Sequence, residues 1–270
     1  MIGFSAVGVD LAWGSPRGRE EDLNPSGLAY LQFDGKKAEL LDYAYKTTDE
    51  EIIAWTERYC RHFGIVAVDA PLIAPNDPGT TRPGDRELTR DFGTFDAGVY
   101  PADREKCRRS TEFTLKMTEY GYDPNPAITP RELTKSVVEV YPHAAMVSLF
   151  GLKKILKYKK GAVEDRKKGL AELQSHLLSD LEEVEPALVR SRNLVALCLK
   201  SPADLAGAQL KALEDVLDSV VCAYTGLYYW YWGTKKCKVY GDDWRKGYIV
   251  TPAVAKGAIA AKRPAKETRK

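Results

Sequence analysis

The sequence lacks the cysteine pattern of a disulfide-stabilised or zinc-binding protein. Its 270 residues contain five cysteines, an odd number, and no two of them form a C-x-x-C pair. Small secreted domains use an even set of cysteines, and zinc knuckles use closely paired ones. We therefore expect the thiols to stay reduced, as they do in the cytoplasm.

The sequence also lacks a long hydrophobic run. Its most apolar stretch, residues 220–232, is shorter than the roughly 20 residues that a membrane-spanning helix requires. The first residues show no basic segment followed by an apolar one, so we expect no secretory signal. We predict a cytoplasmic protein that makes no membrane contact.

Charge is nearly balanced overall but is unevenly distributed. The net charge is +2, yet residues 153–168 contain eight basic residues against two acids, and residues 256–270 contain six against one. Basic segments beside an acidic remainder are typical of a protein that binds a polyanion around a metal site, although solvated charged surface would explain them too. We predict one domain over residues 1–252 and a mobile basic tail at 253–270.

Acidic residues occupy recurring positions at the ends of apolar runs. Three runs that are typical of buried strands each stop on an acid, and a late helix carries two more acids three residues apart. These acids are Asp10, Asp69, Glu139, Asp215 and Asp218. The carboxyl ends of parallel strands share one edge of a sheet, so these acids could converge there. Alternatively, such an aspartate caps a helix or closes a turn through its own side chain.

Clustered carboxylates require a counter-charge, and a divalent cation is the usual one. The acidic residues therefore predict a site for Mg²⁺ or Mn²⁺ and phosphate chemistry. Asp10, Asp69, Asp215 and Asp218 are the candidate metal ligands and, with Glu139, the candidate catalytic residues.

The spacing of apolar residues predicts an α/β fold. Three strands form a meander, a helix follows, and a fourth strand returns parallel to the first, because a crossover through a helix makes the two strands parallel. The predicted strands are 4–10, 28–33, 38–45, 65–69 and 137–140, and the predicted first helix is 49–62. This arrangement would place Asp10 and Asp69 side by side.

Residues 71–136 interrupt this pattern and are predicted to form an insertion over the acidic edge. They contain eight of the fifteen prolines and one predicted helix, residues 103–120. A long irregular connection inside a compact domain is usually functional. Arg82, Arg86 and Arg90 could bind phosphate oxygens. They could equally pair with the neighbouring acids on a surface helix.

The segment after the fifth strand supplies further candidate contacts with a nucleic-acid backbone. The basic candidates are Lys157, Lys159, Lys160 and Arg166. His143 could orient a water or contact a phosphate as a neighbour of the site, or it could be structural.

The predicted helix 204–232 is apolar on two sides, so we expect it to be buried. Small residues share the face of Asp215 and Asp218 and would let the helix approach the sheet closely. The aromatic run 228–232 could stack on bases, but core packing or a subunit contact in a homo-oligomer is the alternative.

Five short motifs, in this order, resemble the domain-of-unknown-function 429 family. They are Gly8-Val9-Asp10, Val68-Asp69-Ala70-Pro71, Arg82-Pro83-Gly84-Asp85-Arg86, Glu139-Val140-Tyr141-Pro142 and Glu214-Asp215-x-x-Asp218. The resemblance extends from residue 4 to about residue 252. That family is described as a predicted nuclease, which implies a ribonuclease H-like fold with a five-stranded mixed sheet flanked by helices. Gly84 departs from the family pattern, in which we expect cysteine.

The activity that this resemblance implies is two-metal hydrolysis of DNA or RNA. Asp10 would bridge two Mg²⁺ or Mn²⁺ ions about 4 Å apart, held also by Asp69 and by Asp215 or Asp218. Glu139 would be a further ligand or would orient the attacking water.

Two other classes of protein remain open. Sugar kinases and actin-like ATPases resemble the chain in their first-strand aspartate, but they usually continue with a glycine-rich phosphate turn. Here Asp10 is followed by Leu11-Ala12-Trp13. The other class is a non-catalytic nucleic-acid-binding or scaffold protein that keeps the fold.

Overall fold

The computed structural model describes residues 3–13 and 24–254. Its helices are α1 Asp49–Cys60, α2 Pro83–Phe92, α3 Arg108–Glu119, α4 Pro142–Leu149, α5 Val163–Ser179, α6 Arg192–Cys198 and α7 Gly207–Trp232. Its strands are β1 Phe4–Asp10, β2 Ser26–Phe33, β3 Lys37–Lys46, β4 Gly64–Val68, β5 Lys135–Glu139, β6 Ala187–Leu188, β7 Cys237–Tyr240 and β8 Ile249–Pro252. Only residues 253 and 254 of the predicted tail are described, and the rest lies outside the described residues.

The central sheet is mixed and has the order β5-β4-β1-β2-β3-β6. β1, β2 and β3 pair antiparallel, whereas β4 pairs parallel with β1 and with β5. The predicted meander and the predicted parallel crossover are therefore confirmed. The sheet has six strands rather than the predicted five, because the two-residue β6 pairs with the start of β3 at the edge. β7 and β8 form a separate antiparallel pair.

Helix α7 lies directly against the backbone of the sheet because glycines leave room for it. A Cβ atom added at Gly8 would lie 1.9 Å from the carbonyl oxygen of Ser219, and one added at Gly27 would lie 2.1 Å from that of Asp215. Gly27 is also the β2 partner of Asp10. The close approach predicted for this helix is confirmed, and it brings the acids of α7 to the end of β1.

The predicted burial of α7 is also confirmed. Every residue from 213 to 231 is buried. The Trp230 ring stacks on Phe4 with centroids 3.9 Å apart and interplanar angle 3°. Of the two interpretations of the aromatic run, core packing therefore describes Trp230.

The insertion after β4 folds back on itself, because its helix α3 is hydrogen-bonded to the first residues that leave the strand. Ser110 and Thr114 of α3 donate hydrogen bonds to the carbonyl oxygens of Pro71 and Leu72, at 2.6 and 3.0 Å. α3 begins at Arg108, five residues later than predicted, and the Asp103 carboxylate instead caps a separate turn by accepting from the N–H groups of Glu105 and Lys106. The insertion thereby reaches the end of β4, where Asp69 lies.

Across residues 3–13 and 24–254, no helix has the length and apolar character needed to span a membrane.

Candidate functional site

Four aspartates meet at the carboxyl ends of β1 and β4. Asp10 ends β1, and Asp69 follows β4, with its N–H donating to the carbonyl oxygen of Val9 at 2.8 Å. Asp10 is close enough to Asp69, Asp215 and Asp218 for each of them to raise its pKa, and Asp10 and Asp215 line the same cavity. Asp69 and Asp218 both contact one further side chain, which links the acids into a single cluster. We call Asp10, Asp69, Asp215 and Asp218 the aspartate cluster.

The side chain that joins Asp69 to Asp218 is Lys159. Its Nζ atom lies 2.6 Å from Asp218 Oδ2 and 3.4 Å from Asp69 Oδ2. Lys211 binds the other side of the cluster, with its Nζ atom 2.5 Å from Asp215 Oδ1 and 2.8 Å from Glu214 Oε1. Part of the counter-charge predicted for the acids is therefore supplied by two lysines.

Two tyrosine hydroxyls donate hydrogen bonds to the same carboxylates. Tyr158 donates to Asp218 Oδ1 at 2.6 Å, and Tyr45 donates to Asp215 Oδ2 at 3.1 Å. Tyr45, Gly27 and Asp10 form one row across the sheet, since Gly27 pairs with both of the others. Donors of this kind fix the orientation of ligating carboxylates in metal sites.

Burial and mutual repulsion make ionisation of the aspartates unfavourable. Burial is the largest cause that raises the pKa of Asp10, Asp69 and Asp215, and Asp218 raises each of the three further. Lys159 lowers the pKa of Asp10 and Asp69, and Lys211 lowers that of Asp215. Burial by itself would lower the pKa of Lys159, but the carboxylates raise it well above its ordinary value. The ammonium group therefore stays charged.

Acids outnumber bases in this part of the protein. Glu214 joins the four aspartates through Lys211 and also accepts from Arg166 Nη2 at 3.1 Å. Five carboxylates thus share three basic side chains, a formal excess of two negative charges. This excess equals the charge of one divalent cation.

The donor set fits Mg²⁺ or Mn²⁺ in its chemistry, because both ions prefer carboxylate oxygens. Within the part of the chain that the structure describes, however, no three His, Cys, Asp or Glu side chains are arranged to hold an ion. The arrangement has an ammonium group between Asp69 and Asp218.

Two cavities border the cluster. The larger one, about 430 Å³, is lined by Asp10, Asp215, Lys211, Tyr45 and Trp13 among others. A smaller one of about 70 Å³ reaches Asp69 and shares Trp13. A substrate therefore has most room on the Asp10–Asp215 side.

The family model described as "Protein of unknown function (DUF429)" matches residues 8–243. The chain belongs to this family. The match includes the whole aspartate cluster together with Lys159 and Lys211. No curated protein matches the chain.

Glu139, at the end of β5, lies in a separate cluster of this DUF429 protein. Arg82 donates to its two carboxylate oxygens at 2.6 and 2.8 Å, and Leu72 N–H donates to one of them at 3.0 Å. Arg82 also donates to Asp85 at 2.7–3.2 Å and to the Ile73 carbonyl at 2.9 Å. We call Arg82, Asp85 and Glu139 the arginine cluster.

In the arginine cluster Arg82 and Glu139 bind each other, whereas the sequence predicted a phosphate contact for Arg82 and a catalytic role for Glu139. Arg82 is 1% exposed, and all five of its N–H groups are bonded inside the protein, so it has no donor left for a phosphate. Glu139 is paired with Arg82, and both line the smaller cavity beside Asp69. Because of this pairing, we assign neither residue a role in metal binding. Gly84 lies beside this cluster, where an added Cβ would meet the Tyr240 carbonyl oxygen at 2.7 Å.

The other basic candidates are spread over the surface and the edge of the site. Arg86 and Arg90 are exposed and bond to the Thr81 carbonyl and to Asp91. Lys157 and Lys160 are also exposed, and Lys160 lies 4.2 Å from the centre of the Tyr100 ring. These four side chains remain candidates for contact with a nucleic-acid backbone.

Arg166 and His143 lie closer to the aspartate cluster. Arg166 Nε donates to the Tyr158 carbonyl at 3.1 Å, so Arg166 holds the segment that carries Lys159. The His143 ring centre lies 5.4 Å from that of Tyr158. Burial, and to a smaller extent Lys159, lowers the pKa of His143 to about 3, so the ring is neutral at physiological pH. It therefore offers a phosphate no positive charge.

Sequence reasoning did not identify Lys211, Tyr45 or Tyr158. Lys211 could have been found from its spacing, because it precedes Glu214 and Asp215 by three and four residues on one helix face. Tyr45 could have been found from the hairpin register that aligns it with Asp10. Only the packing of the chain brings Tyr158 to Asp218.

Proposed function

We propose that this DUF429 protein hydrolyses phosphodiester bonds in nucleic acid with Mg²⁺ or Mn²⁺. The observation that carries the proposal is the convergence of four aspartates at one sheet edge with an excess of negative charge beside an open cavity. The strand order β3-β2-β1-β4-β5 gives further support, because an antiparallel meander followed by two parallel strands resembles the ribonuclease H-like fold.

The residues of the aspartate cluster have distinct roles in this proposal. Asp10 and Asp215 would hold the ion, since they face the larger cavity. A bound Mg²⁺ or Mn²⁺ would activate the attacking water and neutralise negative charge on the phosphate. Tyr45 holds the Asp215 carboxylate in place, and Lys159 does the same for Asp69 and Asp218.

The exposed basic residues would position the substrate. Four exposed side chains could contact the backbone phosphates of a bound nucleic acid: Arg86, Arg90, Lys157 and Lys160. Such contacts orient a nucleic acid without reading its sequence. The proposal therefore covers both DNA and RNA.

A second candidate is a nucleic-acid-binding protein without catalytic activity. The position of Lys159 favours it, because an ammonium group already lies between Asp69 and Asp218. The two candidates differ in one property, which is metal-dependent cleavage.

Cleavage of labelled single-stranded and duplex DNA and RNA tests the proposal directly. We expect cleavage in Mg²⁺ or Mn²⁺ and none in EDTA. Asp10→Asn keeps the shape of the side chain but removes its charge, and it should reduce the rate by roughly two to three orders of magnitude, as removal of one group that stabilises a transition state does. Asp242→Asn, at an exposed acid outside the cluster, is the matched control. Equal cleavage by wild type and Asp10→Asn would contradict the proposal.

A further inference from the structure

The second half of β3 forms an uncovered edge of the central sheet. β6 pairs with this edge only at residues 37–38, and side chains of α6 and its capping residue then donate to the carbonyl oxygens of Leu40 and Leu41. Within the part of the chain that the structure describes, no strand pairs with this side of β3 from residue 42 to residue 46. Such an edge offers its backbone N–H and C=O groups to another strand.

The backbone of Tyr43 shows which residues present these groups. Its N–H donates at 2.9 Å to Oδ1 of the preceding Asp42, a contact within the strand that replaces a partner's carbonyl oxygen. The pairing of β3 with β2 runs without a shift from Asp42 to Lys46. In an antiparallel pair every second residue turns its backbone groups away from its partner strand, so Tyr45 presents the same edge as Tyr43.

The two faces of this edge differ in chemistry. On the face toward α7, the half-buried side chains of Tyr43 and Tyr45 line a cavity of about 500 Å³. The other walls of this cavity are mostly apolar and include Leu197, Leu205, Ala212, Leu213 and Val216. Apolar surface beside an open strand edge is a site where another strand can pair.

The face toward α1 carries one acid and one base. Asp42 accepts a hydrogen bond from Tyr59, and the Lys46 Nζ atom lies 4.0 Å from Glu51 Oε1. Both of these partners belong to α1. The two ends of the uncovered segment therefore have opposite charges on the same face.

We propose that a second copy of this chain pairs with β3 in antiparallel orientation, across a two-fold axis at Ala44, so that the two central sheets become one. In this register Asp42 of each copy lies opposite Lys46 of the other, and Tyr43 lies opposite Tyr45. Opposite charges and aromatic pairs are favourable across antiparallel strands, and the symmetry makes each pair occur twice.

Charge complementarity selects both this register and this occupant. Moving the axis to Tyr43 would place Asp42 opposite Ala44 of the other copy, and moving it to Tyr45 would do the same to Lys46, so either shift loses both ion pairs. A two-fold pair also covers both edges at once and leaves neither open to a further strand. The inference does not depend on the nuclease proposal, although Tyr45 also donates to Asp215 and so links the interface to the aspartate cluster.

Sedimentation equilibrium of the full-length protein tests the pairing. Wild type should have twice the chain mass of 30.1 kDa. Lys46→Glu places acids opposite each other and Asp42→Lys places bases opposite each other, so each variant should raise the dissociation constant by about tenfold or more. An equimolar mixture of the two variants restores opposite charges at both positions and should recover the wild-type constant as a mixed dimer. Lys36→Glu, at an exposed lysine near the other end of β3, is the control and should dimerise like wild type.

A cysteine at the two-fold axis supplies a second readout that does not depend on charge. The two Ala44 residues would form a pair without direct hydrogen bonds, whose Cα atoms lie about 4.5 Å apart, within the range that a disulfide spans. Ala44→Cys should therefore form a covalent dimer in oxidised glutathione. Wild type, whose five cysteines are buried, and Lys36→Cys should not do so at the same protein concentration.

Several outcomes would overturn the inference. They are a wild-type monomer at every concentration, a dimer whose dissociation constant neither charge variant changes, a mixture that does not recover, and an Ala44→Cys variant that does not cross-link. If Asp42→Lys does not fold because it loses the Tyr59 contact, the Ala44→Cys cross-link decides alone.

Discussion

Two buried clusters of charged side chains lie at the same edge of the sheet, and they differ in how much open space borders them. In the arginine cluster, beside a cavity of only about 70 Å³, one guanidinium group uses all of its N–H groups to bond to both carboxylates and to the Ile73 carbonyl. In the aspartate cluster, five carboxylates share three basic side chains, and Asp10 and Asp215 line a cavity of about 430 Å³. Asp69 and Glu139 end neighbouring strands, so the position of an acid at a strand end does not determine its role.

The difference matters because a buried charge needs a partner. The arginine cluster satisfies this requirement within the chain and stabilises the junction between the insertion and β5. The aspartate cluster retains a capacity for an external cation. Removal of one charge should therefore have opposite effects on stability in the two clusters.

Arg82→Met should have the largest effect on stability. The substitution leaves Asp85 and Glu139 buried without their cation, and breaking such a pair typically costs about 3–5 kcal/mol. Denaturant unfolding at pH 7 measures the change in the free energy of unfolding. Burial already raises the pKa of Glu139 to about 7 even though Arg82 lowers it, so part of the loss should be recovered at acidic pH by protonation of Glu139.

Arg86→Met is the control for this prediction. Arg86 is exposed in the same helix and bonds only to a backbone carbonyl, and surface substitutions usually change stability by less than about 0.5 kcal/mol. Equal losses for Arg82→Met and Arg86→Met would mean that the arginine cluster contributes nothing to stability.

Asp10→Asn should have the opposite sign and a smaller size. In EDTA at pH 7 it relieves repulsion among the acids, and we expect a gain of about 0.5–2 kcal/mol, the usual range for a stabilising substitution. The folded protein raises the pKa of Asp10 above 3.8. Ionisation therefore destabilises the wild type, and this penalty grows as the pH rises from 3.8 through the raised pKa.

The pH dependence of that gain is the check. The difference between Asp10→Asn and wild type should be larger at pH 7 than at pH 4 and should vanish as the pH falls toward 3.8, because the wild-type carboxyl group is then protonated in the folded protein. Unfolding curves from pH 4 to pH 8 in EDTA measure it, with Asp242→Asn as the control. A loss of stability at pH 7, or a gain that grows toward low pH, would show that Asp10 is stabilising when ionised.

Much of the aspartate cluster could be predicted from sequence because its geometry is local. An apolar run that ends on Asp10 or Asp69 specifies the end of a strand, and parallel pairing then specifies a common edge. The spacing of Asp215 and Asp218 places them on one face of a helix. The meander, the parallel pairing of the fourth strand with the first and the burial of α7 followed from the same periodicities.

The partners of these acids could not be predicted, because long-range packing selects them. Arg82 and Glu139 lie 57 residues apart in the chain, and the contact of Gly169 with the Lys157 backbone depends on where α5 docks. Among the basic residues of one short segment, the sequence does not distinguish the half-buried Lys159 from the exposed Lys157. β6 was missed because two residues are too few to show periodicity.

The smallest predicted effect concerns the exposed lysines beside the site. If Lys157 and Lys160 contact backbone phosphates, the double change to Ala should weaken nucleic-acid binding and reduce the salt dependence of the binding constant. The slope on duplex should become shallower by about 0.9 for each phosphate that the variant no longer neutralises. Binding is measured in Ca²⁺, which supports no cleavage in the proposed mechanism. Lys36→Ala, an exposed lysine at the turn between β2 and β3 and thus at the opposite end of the strands, is the control. An unchanged slope in the double variant, or an equal change in the control, would show that Lys157 and Lys160 do not contact the nucleic-acid backbone. The proposed path of the substrate past the aspartate cluster would then be wrong.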